Sequence, residues 1–335
     1  MKIYKLIFIK SLILGTIVSI SAYSWFPMWM GLEINMLSII PLMASKKNIY
    51  SSESSMKYFI VQAMASLIIL MSAMLTLLEN DLIPPQMSQM TMMMMNSALL
   101  TKLGAAPFHF WFPEVMEGLS WMNCLIILTW QKVAPFMLIM NNGLNQLMAS
   151  LVILSCLMIS TIMVMNQTSL RKIMAFSSIN HIAWMIAALN SSLSSWTIYF
   201  VTYCLMNSSI AISFHKFKLF QMTQLFSTMN TNKQMKTLTI LNFLSLAGIP
   251  PFIGFLPKWL VIQSMNTAKL HTLALILIMS TLIIMFIYIR ISFSSLTLTN
   301  DQTKLAKTKN SKTISIINYL IASSLVLSTI MFNLM

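Results

Sequence analysis

Apolar stretches of membrane-spanning length follow one another along almost the whole chain. A helix needs about 20 apolar residues to cross a bilayer, and backbone groups inside lipid must be hydrogen-bonded within the protein, which favours helices over open sheets. The sequence therefore predicts an all-α, polytopic membrane protein. Hydropathy places about eleven transmembrane helices, at 6–23, 25–44, 56–78, 87–106, 122–140, 146–165, 173–190, 195–215, 237–262, 271–292 and 313–334.

The composition leaves little room for anything else. The chain is 57% hydrophobic and only 8% charged over 335 residues, which excludes an ordinary soluble protein. We predict one transmembrane domain over 1–335. The three cysteines, Cys124, Cys156 and Cys204, lie in apolar stretches without metal-ligand spacing, so we interpret them as buried apolar residues.

Basic residues are concentrated on one side of the predicted spans, called side A because it holds the N-terminus. Seventeen of the 21 Lys and Arg fall on side A, whereas the opposite side, side B, carries Lys269. By the positive-inside rule, side A faces the cytoplasm or the matrix of a mitochondrion. The net charge of +14 is then explained by the orientation of the chain in the membrane and by attraction of its basic loops to anionic phospholipids. Charges spread over separate loops argue against a nucleic-acid partner.

Four charged residues lie inside the apolar spans: Glu33, Lys102, Lys132 and Lys258. A charged side chain at the centre of a membrane helix costs about 2.5–3.5 kcal/mol on insertion scales and usually marks an ion or proton pathway. Burial disfavours the charged form of lysine, and a nearby carboxylate favours it, so such a lysine suits proton exchange. Two alternatives stay open: Glu33 forms a structural ion pair with a lysine, or Lys258 extends its ammonium to side B.

Two spans contain helix-breaking residues next to one of these lysines. Span four ends in KLGAAP, residues 102–107, and span nine contains GIPPFIGFLPK, residues 248–258. Paired Gly/Pro interruptions in two halves are typical of inverted repeats around a transport site. Because these spans are five apart, we predict two inverted five-helix repeats, about 1–140 and 146–292, with a terminal helix at about 313–334.

The remaining motifs are weaker. His181 lies in span seven beside serine and asparagine side chains, so it is either a proton relay or a hydrogen-bonded packing residue. We expect the aromatic segment 107–121 at the membrane interface, where His109 has a structural role or, as the alternative, acts as a surface proton relay. Segment 216–236 is expected along the membrane surface. No dinucleotide, phosphate-binding or clustered-cysteine motif is found, so no cofactor is predicted in this chain.

Four sequence motifs are similar to those of a known family. They are WMGLEIN at 29–35, KLGAAPFHFW at 102–111, TWQK at 129–132 and LAGIPPFIGFLPKW at 246–259. Together they resemble the antiporter-like membrane subunits of respiratory complex I, over nearly the whole chain. The resemblance implies a proton-translocating module of that complex, with an antiporter-like fold.

The resemblance also implies roles for single residues. Glu33 matches the carboxylate that modulates a key lysine, which is Lys102 here. Lys132 matches the central linking lysine, and Lys258 the lysine at the second broken helix, on the output side. His181 completes the predicted Glu/Lys/His proton relay.

Cofactors, partners and location follow from the same resemblance. NADH, FMN, iron–sulfur clusters and ubiquinone belong to the parent complex, and none of them to this chain. The expected partners are other membrane-arm subunits, including neighbouring antiporter-like subunits, and phospholipids such as cardiolipin. The expected location is the mitochondrial inner membrane, with the N-terminus in the matrix and the C-terminus in the intermembrane space. Alternatives are a freestanding cation/proton antiporter and a passive structural subunit.

Overall fold

The computed structural model describes residues 3–45, 48–80, 89–231, 233–250 and 252–297. Almost all of this backbone is α-helical, as the sequence predicts. The fourteen helices are α1 Ile3–Ser21, α2 Trp25–Met43, α3 Ile49–Asn80, α4 Gln89–Leu103, α5 Trp111–Gly118, α6 Trp121–Leu128, α7 Trp130–Asn142, α8 Gln146–Val164, α9 Leu170–Ser191, α10 Leu193–Phe217, α11 Met222–Thr231, α12 Lys233–Ala247, α13 Phe255–Thr267 and α14 His271–Thr297.

Eight segments of the described chain are long and apolar enough to cross a membrane. Seven are single helices, and the eighth combines α6 and α7 in Trp121–Asn142. Predicted spans four and nine are different. Span four corresponds to one shorter helix, α4, which a non-helical stretch separates from the short helix α5, whereas span nine corresponds to two shorter helices, α12 and α13, with a non-helical interruption between them. The predicted terminal helix at 313–334 lies outside the described residues, so the count of eleven stays a prediction.

The chain divides into two compact units, Met1–Cys156 and Leu157–Met335, here called unit 1 and unit 2. Unit 1 holds α1 to α7 and the first part of α8, and unit 2 holds the rest. The two predicted repeats, about 1–140 and 146–292, are not tested by this division and stay a prediction.

In unit 1, α1 and α2 cross at backbone contact. A β-carbon on Gly31 would lie 2.5 Å from the backbone nitrogen of Ser19, and one on Gly15 would lie 2.9 Å from that of Asn35. Real β-carbons do not approach other atoms so closely, so glycine is required at both positions. The crossing fixes α2, the helix that carries Glu33.

The aromatic segment after α4 forms a helix inside unit 1. Trp111 is 8% exposed and Phe112 only 1%, whereas Phe108 and Phe110 are 41% and 72% exposed. Two of these rings are thus packing residues and two face outward, and the position of the segment at the membrane interface stays a prediction. Helix α5 lies beside the start of α3, where the ammonium of Lys57 lies 2.9 Å from a carboxylate oxygen of Glu114.

In unit 2, α9 forms the centre of the packing. In its apolar stretch, 89% of the residues are buried, and it packs against α10 and α13. An amphipathic surface helix would bury one stripe, whereas α9 is buried nearly all round. His181, on α9, is therefore deep inside unit 2, at 2% exposure. Within predicted surface segment 216–236, the structure places the end of α10, the short helix α11 and the start of α12.

Candidate functional site

The first interruption, called break one, comprises residues 104–110 between α4 and α5. It opens with Gly104 at φ +74°, a conformation that glycine adopts without strain. The carbonyl groups at the end of a helix lack hydrogen-bond donors within that helix. Here, side chains donate to some of these carbonyls. The indole N–H of Trp111 donates to the carbonyl oxygen of Thr101 at 3.1 Å.

Helix α8 holds break one from the side through two adjacent residues. The backbone N–H of Ala106 donates to the sulfur of Cys156 at 3.1 Å, and the hydroxyl of Ser155 donates to the carbonyl oxygen of Ala106 at 3.1 Å. Both backbone polar groups of the buried residue Ala106 are therefore satisfied by one helix. This contact gives Cys156 a defined role that the sequence did not predict.

Lys102 lies in the last turn of α4, just before break one, and is 7% exposed. Its carbonyl oxygen accepts from the side-chain amide of Gln62 at 3.5 Å. Lys102 and the half-buried Glu33 form no ion pair within 4.0 Å in the described part of the chain. The structural ion pair that the sequence left open is not formed between these two residues.

A small polar cavity adjoins Lys102. It offers about 10 Å³ to the centre of a water molecule, which is about the space one buried water needs. Amide and hydroxyl groups form much of its wall. The cavity is lined by Leu32, Asn35, Met36, Tyr58, Gln62, Lys102, Gln131 and Pro135.

The cavity wall is held by a short chain of hydrogen bonds between three helices. The hydroxyl of Tyr58 on α3 donates to the amide oxygen of Gln131 on α7 at 3.3 Å. The amide nitrogen of Gln131 donates to the amide oxygen of Asn35 on α2 at 2.7 Å. The polar side chains beside Lys102 are thus fixed in orientation.

Lys132 lies on α7 and is 1% exposed. Its ammonium lies 5.8 Å from the centre of the Phe112 ring, in cation–π range. Phe112 lies in the first turn of α5, directly after break one. Unit 1 therefore brings Glu33, Lys102 and Lys132 around one interrupted helix.

The second interruption, called break two, comprises residues 248–254 between α12 and α13. It also opens with a glycine at positive φ, Gly248 at +79°. Lys258, on the first turn of α13, extends back across the break and donates to the carbonyl oxygens of Ala247 at 2.8 Å and Leu246 at 3.5 Å. The ammonium thus caps the C-terminal end of α12, where the helix dipole favours a cation.

Lys258 does not extend to side B, because its side chain is buried at 7% exposure. Its ammonium also lies 5.9 Å from the centre of the Trp184 ring on α9. That indole stacks on Tyr199, whose hydroxyl lies 2.8 Å from Nδ1 of His181. Lys258 and His181 are therefore joined through two aromatic side chains within unit 2.

Buried polar atoms without a described hydrogen-bond partner also occur in unit 2. Nearly all buried polar groups bond to protein or to ordered water, so these atoms are candidate positions for water. Among them are Oδ1 of Asn180, Nε1 of Trp184 and Nδ2 of Asn242.

The structure thus separates the predicted site residues into two groups. Glu33, Lys102 and Lys132 lie in unit 1, and His181 and Lys258 in unit 2. The sequence analysis did not identify the residues that surround these charges within each unit, such as the cavity amides in unit 1 and Tyr199 in unit 2. In the sequence each of them is a polar or aromatic residue in an apolar span. That pattern does not show which side of the helix faces a lysine.

A buried lysine at each of two interrupted helices, in an all-helical membrane chain, is the arrangement of an antiporter-like membrane subunit. Residues 22–284 match the family described as "NADH:quinone oxidoreductase/Mrp antiporter, TM". The fold is shared with a chain of "Respiratory complex I from Thermus thermophilus with bound Aureothin", at a TM-score of 0.85 and 18% identity, over 97% of this chain and 79% of that one. The predicted fold class is thereby confirmed.

Sequence relatives narrow the class. The chain is 50% identical over 295 residues to NADH-ubiquinone oxidoreductase chain 2 of Anopheles gambiae, covering 88% of this chain and 86% of the relative. The chain of the same name from Aedes aegypti is 47% identical over 294 residues, with the same coverage of both chains. The protein belongs to the NADH-ubiquinone oxidoreductase chain 2 family, which confirms the family resemblance of its motifs.

Proposed function

We propose that the chain is a core membrane subunit of mitochondrial NADH:ubiquinone oxidoreductase and translocates protons across the inner membrane. The observation that carries the proposal is Lys102, a buried lysine beside a polar cavity with space for one water. Burying a charge at such depth costs free energy, and a charge kept there usually serves a function. Two carbonyl oxygens at the end of α4, those of Thr101 and Lys102, accept hydrogen bonds from the side chains of Trp111 and Gln62 and not from the Lys102 ammonium. The ammonium of Lys102 is therefore available for proton exchange.

Unit 1 supplies the elements of a proton switch. Lys102 is the group that exchanges the proton, and we expect the carboxylate of Glu33 to favour its charged state at a distance, without the tight pair that would immobilise it. Lys132 is a second buried cation of unit 1. When the charge of Glu33 is moved or screened, the proton on Lys102 is held less firmly and passes to a neighbouring acceptor.

Unit 2 supplies a second set of proton-carrying groups. His181 exchanges protons through either ring nitrogen, and one of these faces the hydroxyl of Tyr199. Lys258 lies at break two, as Lys102 lies at break one. We assign to these groups the output side of the relay.

The same proposal assigns redox chemistry to the rest of the complex. NADH, FMN, the iron–sulfur clusters and ubiquinone act in the parent enzyme, and this chain contributes to the reaction as its proton-translocating part. Its partners are other membrane-arm subunits, including antiporter-like neighbours, together with phospholipids such as cardiolipin. The basic excess on side A supports a matrix-facing N-terminus and a C-terminus in the intermembrane space.

The test replaces Lys102 by methionine, which keeps the length of the side chain and removes the ammonium. In assembled enzyme, we expect Lys102→Met to reduce proton uptake coupled to quinone reduction by at least about 100-fold, the smaller end of what a proton-transfer group contributes. Lys102→Arg should not rescue it, because a guanidinium does not release its proton. Proton uptake and quinone reductase activity are measured on the same reconstituted preparation.

The matched control is Lys57→Met, which removes an ammonium from the surface of the same unit. It should leave proton uptake unchanged. Normal proton pumping in assembled Lys102→Met enzyme would show that Lys102 is a structural residue and that the passive-subunit alternative is correct.

A further inference from the structure

We propose that Gln131 is a positioning residue that fixes the polar wall of a one-water site beside Lys102 and so controls the proton exchange of this lysine. The inference deepens the proposed function and rests on it. The ligand of the site is a water molecule, and Gln131 acts on Lys102 through that water.

The first step concerns what the cavity accepts. Its volume suits one water, and a buried water needs two to four polar partners. Lys102 offers N–H donors, and the side-chain amides of Asn35, Gln62 and Gln131 offer both donors and acceptors. A cation would meet the ammonium of Lys102, and an apolar ligand would leave the amides without partners, so water is the ligand that the lining favours.

The second step concerns what the hydrogen-bond chain does. Tyr58 donates to Gln131, and Gln131 donates to Asn35, so the amide of Gln131 is fixed at both ends. An amide has no ionisable proton near neutral pH, which means that the chain orients groups and does not conduct protons. Conduction falls to the water in the cavity and to Lys102.

The proton step is then simple. One N–H bond of the Lys102 ammonium breaks, an O–H bond forms on the water, and the positive charge moves with the proton, leaving a neutral amine. The rate of this transfer depends on the distance and direction between donor nitrogen and water oxygen. Those are set by the wall that Gln131 holds.

The third step concerns position in the fold. Asn35 follows Glu33 by two residues on α2, and Gln131 immediately precedes Lys132 on α7. The bond of 2.7 Å between their amides therefore joins the helix of the carboxylate to the helix of the central lysine. Gln131 holds the distance across which Glu33 acts on Lys102.

The test variant is Gln131→Met, which keeps the side-chain length and removes both hydrogen bonds. We expect kcat of quinone reduction under coupled conditions to fall at least about 10-fold, which is within the cost of a misplaced group. The KM for ubiquinone should stay unchanged, and the solvent hydrogen/deuterium isotope effect on kcat should rise because proton transfer becomes slower.

The matched control is Asn142→Leu. Asn142 lies on the same helix, and its amide donates to the amide oxygen of Asn96 at 2.7 Å, the same distance as between Gln131 and Asn35. Its bond joins α7 to α4 and lies outside the cavity lining. Asn142→Leu should leave kcat and the isotope effect as in the unaltered enzyme, since a merely structural amide pair does not touch the proton step.

A pair of exchanges separates positioning from folding. Gln131→Asn shortens one amide and Asn35→Gln lengthens the other, so each single change misfits and the double change restores the span between α2 and α7. We expect the double variant to recover kcat and the isotope effect. If the enzyme with Gln131→Met does not assemble, kcat and the isotope effect of the milder Gln131→Asn variant provide the test.

Two results would overturn the inference: normal kcat and isotope effect in Gln131→Met, or in Gln131→Asn where that variant decides. Such results combined with lost pumping in Lys102→Met would leave the proposed function intact and remove only the role of Gln131. Full pumping in Lys102→Met would instead remove the proposed function itself.

Discussion

Break one and break two use the same backbone device and place their lysines on opposite sides of it. In both, a glycine at positive φ follows the first half-helix, Gly104 at +74° and Gly248 at +79°. Lys102 precedes its break, at the end of α4, whereas Lys258 follows its break, at the start of α13. Lys102 is therefore part of the half-helix that ends at its break, whereas Lys258 is part of the half-helix that begins after its break.

The difference decides which groups satisfy the freed carbonyls. At break one, the indole of Trp111 and the amide of Gln62 donate to the carbonyls of Thr101 and Lys102. At break two, the ammonium of Lys258 itself donates to the carbonyls of Ala247 and Leu246. A lysine that caps a helix has a structural duty as well as a charge, and a lysine beside a capped helix has only the charge.

The first prediction tests whether Lys258 has a structural role that Lys102 lacks, and it has the largest expected effect. Lys258→Met should destabilise unit 2 by about 2–4 kcal/mol, because two buried carbonyls lose their donor and each unsatisfied group costs about 1–3 kcal/mol. Lys102→Met should change stability by less than about 1 kcal/mol, since it also removes a costly buried charge. Thermal unfolding of the assembled enzyme measures both. Equal losses for the two variants would mean that the carbonyl contacts of Lys258 do not stabilise break two.

The second prediction concerns the space beside Gly248. A β-carbon there would lie 2.9 Å from the ammonium nitrogen of Lys258, so Gly248→Ala should displace the cap and cost about 2–3 kcal/mol, including the strain of positive φ. The control is the same change in Lys258→Ala enzyme, where the new β-carbon meets no ammonium and Gly248→Ala carries only the strain, about 1–2 kcal/mol. Unfolding temperatures compare the loss caused by Gly248→Ala in the two backgrounds, and an equal loss in both would contradict the crowding argument.

The third prediction sharpens the comparison at break one and has the smallest effect. Cys156→Ala removes the acceptor of the Ala106 N–H and should cost about 1–2 kcal/mol, since the amide is left unsatisfied. Cys156→Ser keeps an acceptor and should recover part of the loss. The control is Cys124→Ala, another fully buried cysteine of unit 1, which should cost less because its thiol is a weak donor, here to the carbonyl oxygens of Met116 and Leu119. A stability loss for Cys156→Ala no larger than the control's would show that α8 does not hold the break through this sulfur.

The predictions from sequence succeeded where the residue type alone determines a large free energy of transfer into the membrane or the protein interior. An apolar stretch of about 20 residues has few folds open to it, and a lysine inside such a stretch is too costly to be accidental. Glycine and proline beside these lysines marked both interruptions. The all-helical fold, the buried state of Lys102 and Lys132, and the two breaks are therefore determined by the sequence.

Only the tertiary structure decided what surrounds each charge. Asn35 and Gln131 are ordinary polar residues along the chain, 96 positions apart, and their bond depends on how α2 and α7 pack. The same holds for Lys258, because depth in a span does not reveal whether an ammonium reaches solvent or caps a neighbouring helix. The segment after α4 is a further example, since aromatic side chains suit an interface and a packed core equally well, and only the structure shows that Phe112 is buried and Phe110 exposed. Helix faces are chosen by packing between distant segments, and no local pattern contains that information.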